Sequence, residues 1–389
     1  MSNPNLGDGR GFLFAQLEDD AGRLLDLGTK GSGPTPWSRG GDGKLTLKGG
    51  VREVLATEML EALGVPTSKS FSLFETGEKL TRGDEPSPTR SSVLVRLSHS
   101  HLRFGTFQRL AHLGDAEGLD RLLSYAIARY FPHLEGERDR VPRFLAEVTR
   151  RTAALTASWM VAGFVHGVLN SDNMTITGES FDYGPYRFLP TYDLAFVAAY
   201  FDHGGLYAYG EQPRAVFRNL ARLAGALRPL APDLAIGTAL ADFEPVLEAE
   251  TTRRLLARLG LAPNGDMDAA LVGATYAFLE ESGVGYERFF FDLYGGLARA
   301  KASRTVDANA PYRGPRWDAL RALLELYAPA HEAAPAYVDG DAPCTLLIDE
   351  IESIWSAIAE RDDWGPFDAK IAQIRGIAPV TDPGGAPRA

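Results

Sequence analysis

Glycine is concentrated at one end of this chain, and that asymmetry limits the folds open to it more than any other feature. Of 41 glycines, 12 fall in the first 50 residues, clustered as GDGRG (7–11), GTKGSG (28–33) and RGGDGK (39–44). Sequence this dense in glycine does not hold a helix, because glycine loses more backbone freedom on folding than any other residue. Between the clusters lie short apolar runs of strand length, FLFAQL (12–17) and LLDL (24–27). The pattern predicts strands joined by loops whose bare backbone can approach a ligand. VREVLATEMLEALG (51–64) follows, with Val51, Leu55, Met59 and Leu63 on one face, and Gly64 and Pro66 to stop it; this predicts a helix. KSFSLFET (69–76) and SSVLVRLS (91–98) read as two more strands, separated by a polar loop, GEKLTRGDEPSPTR (77–90).

Residues 1–98 therefore read β-β-α-β-β, and the rest is mostly helical. RFLAEVTRRTAALTASWMVAGF (143–164) predicts a long helix, and Ala/Leu/Arg-rich helices continue to about residue 335 before a frayed tail at 380–389. The expected class is α+β and bilobal, with a small sheet-rich lobe over 1–98 and a larger helical lobe over 99–389. A chain of 389 residues can bury a core in each. The formal charge of −11 argues against a nucleic-acid binder, since phosphate affinity needs clustered Lys and Arg. The most apolar stretch, AALTASWMVAGFVHGVL (153–169), carries Thr, Ser, His and Gly and predicts a buried core helix, not a membrane span. MSNPNLGDGR lacks the apolar core of a signal peptide, so a cytoplasmic protein with no membrane partner is expected. Cys344 is the single cysteine, which excludes an internal disulfide.

The chemistry concentrates in HGVLNSDN (166–173) and FDYG (181–184). Kinase-like phosphotransferases use a loop with a His, an Asp two residues on, an Asn five further, and then a second Asp in a D-F-G-type turn. Here His166 and Asn173 keep the separation of seven, and Asp182 lies nine beyond. Val168 occupies the usual place of the catalytic Asp and cannot accept a proton; Asp172 is the nearby carboxylate able to do so. Asn173 and Asp182 offer oxygen ligands of the kind Mg²⁺ requires. In the small lobe, Lys30 ends a strand and Glu53 opens the next helix, as in the lysine–glutamate ion pair of kinases. Gly7, Gly9, Arg10, Asp42 and Gly43 are candidates to approach a nucleotide. Arg96 and Arg103 form a cationic pair near the lobe junction, suited to phosphate by the planar guanidinium fork. His166, at the end of an apolar helix, is expected to be a hydrogen-bonded core histidine. Two activities stay open on this reading, a silent nucleotide-binding pseudokinase and an ordinary kinase, which Val168 disfavours.

The motifs GDGR (7–10), TPWSRGGDGK (35–44), VREVLATEMLEALGVPT (51–67), VLVRLSHSHLRFGTF (93–107), RTAALTASWMVAGFVHGVLNSDNM (151–174), FDYGPYRFL (181–189) and FDHGGLYAYGEQP (201–213) closely resemble the selenoprotein O family of kinase-like protein adenylyltransferases. The resemblance implies a pseudokinase fold that holds ATP inverted, so that AMP passes to Ser, Thr or Tyr of a protein and pyrophosphate leaves. It implies ATP contacts from Gly7, Gly9, Arg10, Lys30, Asp42, Gly43 and Asp182, with Arg96 and Arg103 on the triphosphate. Asp172 would be the proton acceptor, Asn173 and Asp182 ligands of Mg²⁺ (or Mn²⁺), and Glu53 the partner of Lys30. Relatives carry a further segment before GDGR and a cysteine or selenocysteine near the C-terminus; this chain is expected to lack both.

Overall fold

β1 (Gly11–Glu18) and β2 (Leu24–Lys30) form an antiparallel pair at the edge of a five-stranded sheet. The structure, a computed structural model, describes residues 11–20, 22–34, 42–83, 85–300 and 311–377; Gly7, Gly9, Arg10 and the 380–389 tail lie outside them. β3 (Leu45–Thr46) leads into α1 (Leu47–Ala62), and β4 (Lys69–Leu80) and β5 (Thr89–Ser98) complete the sheet. β5 is central: β2 and β3 pair along one side of it and β4 along the other, all antiparallel. The register sets the chemistry. Lys30 pairs with Leu94 and Gly28 with Arg96, and cross-strand partners point to the same face, as do residues two apart. Lys30 and Arg96 are therefore diagonal neighbours on one face of the sheet.

Two boundaries differ from the sequence reading. The helix begins at Leu47, not Val51, and takes in Gly49 and Gly50. A side chain on Gly50 would lie 2.5 Å from Leu73 Cδ1 and 2.9 Å from Ser92 Oγ, so this glycine lets the helix press onto the sheet and does not mark a loop. Thr46 Oγ1 accepts from the Gly49 N–H and caps the first turn. The polar loop is also shorter than 77–90, because β4 runs to Leu80 and β5 starts at Thr89. Its charged residues pair across the hairpin, Arg90 with Glu75, and outward, Lys44 with Glu78, which makes a polar strand stable without a buried face.

The remainder is helical: α2 (Phe104–His112), α3 (Ala116–Tyr130), α4 (Arg140–Val161), α5 (Gln212–Leu227), α6 (Ile236–Ala239), α7 (Phe243–Arg258), α8 (Met267–Ser282), α9 (Tyr286–Asp292), α10 (Gly296–Ala300) and α11 (Pro315–Leu324). A two-stranded ribbon, β6 (Phe164–Val165) with β7 (Arg187–Phe188), frames the loop between them. α4 is the buried central helix, with Phe144, Leu145, Val148, Leu155 and Trp159 in the core. Three of its hydroxyls bond to its own backbone, Thr149 to Leu145 O, Thr156 to Thr152 O and Ser158 to Leu155 O. No helix among the described residues is long and apolar enough to cross a membrane. The chain is thus α+β, a small antiparallel sheet region beside a mostly helical remainder.

Helices do not stop near residue 335. After a stretch broken by Pro329, Pro335 and Pro343, α12 (Ile348–Arg361) and α13 (Gly365–Arg375) return to pack on α1. Glu352 pairs with Lys48 at 2.7 Å and Arg375 with Glu58 at 2.5 Å. The C-terminal helices thereby brace the outer face of the helix that carries Glu53.

Candidate active site

Four charged side chains meet where the sheet, α1 and the 174–186 loop converge. Lys30 Nζ lies 2.5 Å from Glu53 Oε2 and 2.5 Å from Asp182 Oδ1; Arg96 reaches the same two carboxylates at 3.5 Å. Glu53 is fully buried, in the second turn of α1 and not at its start. Burying two carboxylates is tolerable because each faces two cations. Burial alone would raise the Asp182 carboxyl, but Lys30, and after it Arg96 and Arg103, outweigh burial and hold it well below the usual carboxylate range. Burial likewise disfavours the Lys30 charge, yet Asp182 and Glu53 prevail and keep its pKa above the ordinary lysine value.

The loop that supplies Asp182 is held under tension. Asp182 has φ = +67°, a left-handed conformation that Asp tolerates better than most residues but that still costs energy. The surroundings enforce it. His166 is fully buried, and its Nε2 donates to the Phe181 carbonyl at 3.1 Å; burial pushes its pKa down, so it serves as a neutral peg. Arg52, beside Glu53, donates to the carbonyls of Gly184 and Tyr186, and Tyr186 Oη donates back to Arg52 O. The Phe181 ring supports both arginines, with Arg103 4.7 Å and Arg96 5.7 Å from its centroid. Nothing in the residue types marked Phe181 for this; only its place before Asp182 hinted at it.

Asp172 and Asn173 sit in a single 3₁₀ turn, Ser171–Asn173, where Asn170 Oδ1 accepts from the Asp172 N–H at 2.9 Å. Two buried amides of α5 pin the strand leading there: Gln212 bonds the backbone of Phe164 and His166, and Asn219 donates to Leu169 O. Asp172 is buried and Asn173 half-buried. Asp42 lies elsewhere in its bonding: it is exposed and pairs with Arg82 at 2.8 Å. Gly43 has φ = +65°, and a Cβ there would fall 2.2 Å from Gly33 O, so it closes the turn after β2 backbone to backbone.

The connector from β5 to α2 is stapled from both sides. Asp26 on β2 accepts from the His101 N–H at 3.0 Å and from Gln16, while Glu179 accepts from the His99 N–H at 2.8 Å. The His101 ring is packed against Gly28, with Nδ1 3.5 Å from Asp26 Oδ2. Burial lowers its pKa, and Arg96 and Arg103 add to this against the pull of Asp26. The unfolded value is about 6.5, so His101 contributes stability that is complete above that pH and is lost as pH falls through the folded value. His166 acts in the same window. His101→Gln is therefore expected to flatten part of the fall in urea midpoint between pH 7.5 and 5; an unchanged pH dependence would remove His101 from the account.

With this geometry in place, comparison with known proteins is informative. The family model for protein adenylyltransferase SelO matches residues 1–375. The chain is 48% identical over 382 residues to a protein nucleotidyltransferase YdiU of Gloeobacter violaceus, covering 96% of this chain and 79% of that protein. It is 46% identical over 391 residues to a protein of the same name from Synechocystis, covering 96% and 82% respectively. A YdiU from Myxococcus xanthus is 40% identical over 312 residues, 80% of this chain and 63% of that one. The chain belongs to the SelO family of protein adenylyltransferases.

Proposed function

We propose that this chain transfers AMP from ATP to a Ser, Thr or Tyr hydroxyl of a protein, through a bilobal, protein-kinase-like arrangement of residues 1–98 and 99–389. The observation that carries the reading is the convergence of Lys30, Glu53, Arg96 and Asp182, with Asp172 in the 3₁₀ turn Ser171–Asn173 and valine at position 168. In this reading Lys30, Arg96 and Arg103 hold the triphosphate, and the Phe181 ring keeps the two guanidinium groups in place. Gly7, Gly9, Arg10, Asp42 and Gly43 would approach the nucleotide. Glu53 fixes Lys30. Asp172 accepts the proton of the acceptor hydroxyl as its oxygen attacks the α-phosphorus and the bond to the β-phosphate oxygen breaks.

The donor set suits a divalent metal carried with the nucleotide. Lys30 and Arg96 both engage Oδ1 of Asp182, which leaves Oδ2 with capacity to spare, and Asn173 carries an amide oxygen in the turn Ser171–Asn173. Mg²⁺ takes one or two protein oxygens and draws the rest from phosphates and water. When bound, it would offset phosphate charge; Asn173 and Asp182 are the residues to hold it.

ATP labelled at either the α- or the γ-phosphorus, incubated with the protein, Mg²⁺ and acceptor proteins, tests the reading. Label on protein from the α-position alone, with pyrophosphate released, is expected. Label from the γ-position alone would mean a kinase, and none from either, with ATP bound, a silent module.

A further inference from the structure

Gly105 is a glycine in the wrong place by local rules. It lies in the first turn of α2 with ordinary helical backbone, where no left-handed angle calls for it and where almost any residue makes a better helix. Its reason is steric. A Cβ at this position would stand 2.0 Å from Asp172 Oδ1 and 3.1 Å from its Cγ, with the Asp172 Cα next at 3.7 Å. The carboxylate rests on the bare Cα face of Gly105, at the end of the helix where unpaired N–H groups and the helix dipole favour negative charge. The two cannot drift apart, because the start of α2 is stitched to the chain just after Asp172: the Phe104 N–H donates to Met174 O at 3.0 Å and the Ile176 N–H to Leu102 O at 3.2 Å.

We infer that Gly105 is a positioning residue, the seat that aims the Asp172 carboxylate; this rests on the assignment of Asp172 as proton acceptor made above. The clashing atoms are the far end of a side chain, so an added methyl turns the carboxylate away and leaves the fold standing. Gly105→Ala is therefore expected to lower kcat for adenylyl transfer at least about tenfold, since a misplacement near 1 Å can cost about a hundredfold. ATP affinity by calorimetry should stay within about twofold and the melting temperature should hold, because neither depends on the aim of Asp172. In an Asp172→Ala background the clashing atoms are gone, and adding Gly105→Ala should change nothing further.

The outcomes separate cleanly. Unchanged kcat in Gly105→Ala, with Asp172→Ala inactive, overturns the inference alone. A parallel loss of kcat, ATP affinity and melting temperature makes Gly105 a packing residue and also overturns it. Normal transfer by Asp172→Ala overturns the proton-acceptor assignment, and the inference with it. Loss of kcat alone, absent from the double variant, supports it.

Discussion

Asp172→Ala is expected to reduce α-label transfer to protein by a factor of about 10²–10⁴, the range for removing a general base, while ATP affinity changes little. The backbone of the turn is held independently of the carboxylate. The turn that bears Asp172 is held by Asn170, through its side-chain oxygen to the Asp172 N–H and its carbonyl to the Asn173 N–H, and neither bond uses the Asp172 carboxylate. The approach to the turn is fixed from α5 by Gln212 and Asn219. Alanine should thus keep the backbone bonds of the turn while removing the proton acceptor. Asp172→Asn gives a second check, since it keeps the shape and loses the basicity; both variants should fail alike. Calorimetry with ATP and single-turnover labelling read the two effects separately. Turnover within about tenfold of wild type in both variants would show that another group takes the proton, because a general base contributes more than that.

The local parts of the fold were legible because they follow from nearest-neighbour chemistry. Short apolar runs give β2 and β5, and the stripe Val51, Leu55, Met59, Leu63 gives α1. What sequence could not show is what depends on distant packing. Gly50 falls outside the helix predicted from Val51 because its purpose is the contact with Leu73 and Ser92, more than twenty residues away. The hairpin extensions of β4 and β5 looked like loop because their stability comes from ion pairs rather than apolar alternation. α12 and α13 were missed for a related reason: the proline-rich stretch before them reads as an ending, and nothing local says that they return to α1. In the candidate site, the spacing of Lys30, Glu53, Arg96 and Asp182 along the chain is consistent with many arrangements. The register of β2 on β5 brings Lys30 and Arg96 together, and the left-handed turn at Asp182 presents its carboxylate to both. Gly105 and Phe181 were silent because their roles are steric and aromatic, carried by neighbours that only the fold supplies.

Asp182→Asn is expected to abolish the gain in ATP affinity that Mg²⁺ gives the wild type, and this variant decides between two roles for the residue. The structure shows Asp182 as the partner of Lys30 and Arg96; the proposed function makes it a metal ligand. The two roles predict the same change without metal and part only when Mg²⁺ is added. If Asp182 only balances the cations, removing its charge leaves Lys30 and Arg96 with Glu53 alone and a more positive site. Triphosphate should then bind at least as well in EDTA and better still in Mg²⁺. If Asp182 also holds the metal, the EDTA affinity is kept or raised, but the Mg²⁺-dependent gain, about 10–100-fold for charged contacts of about 1.5–3 kcal/mol, disappears. Asparagine is the right replacement because it tolerates φ = +67° as aspartate does. Alanine would add backbone strain of about 1 kcal/mol or more and confuse stability with binding. Titrating ATP with and without Mg²⁺ into both proteins yields four affinities, and the ratio of ratios is the result. A value near that of the wild type would leave Asp182 as a counter-charge only, and Asn173 would have to hold the metal without it.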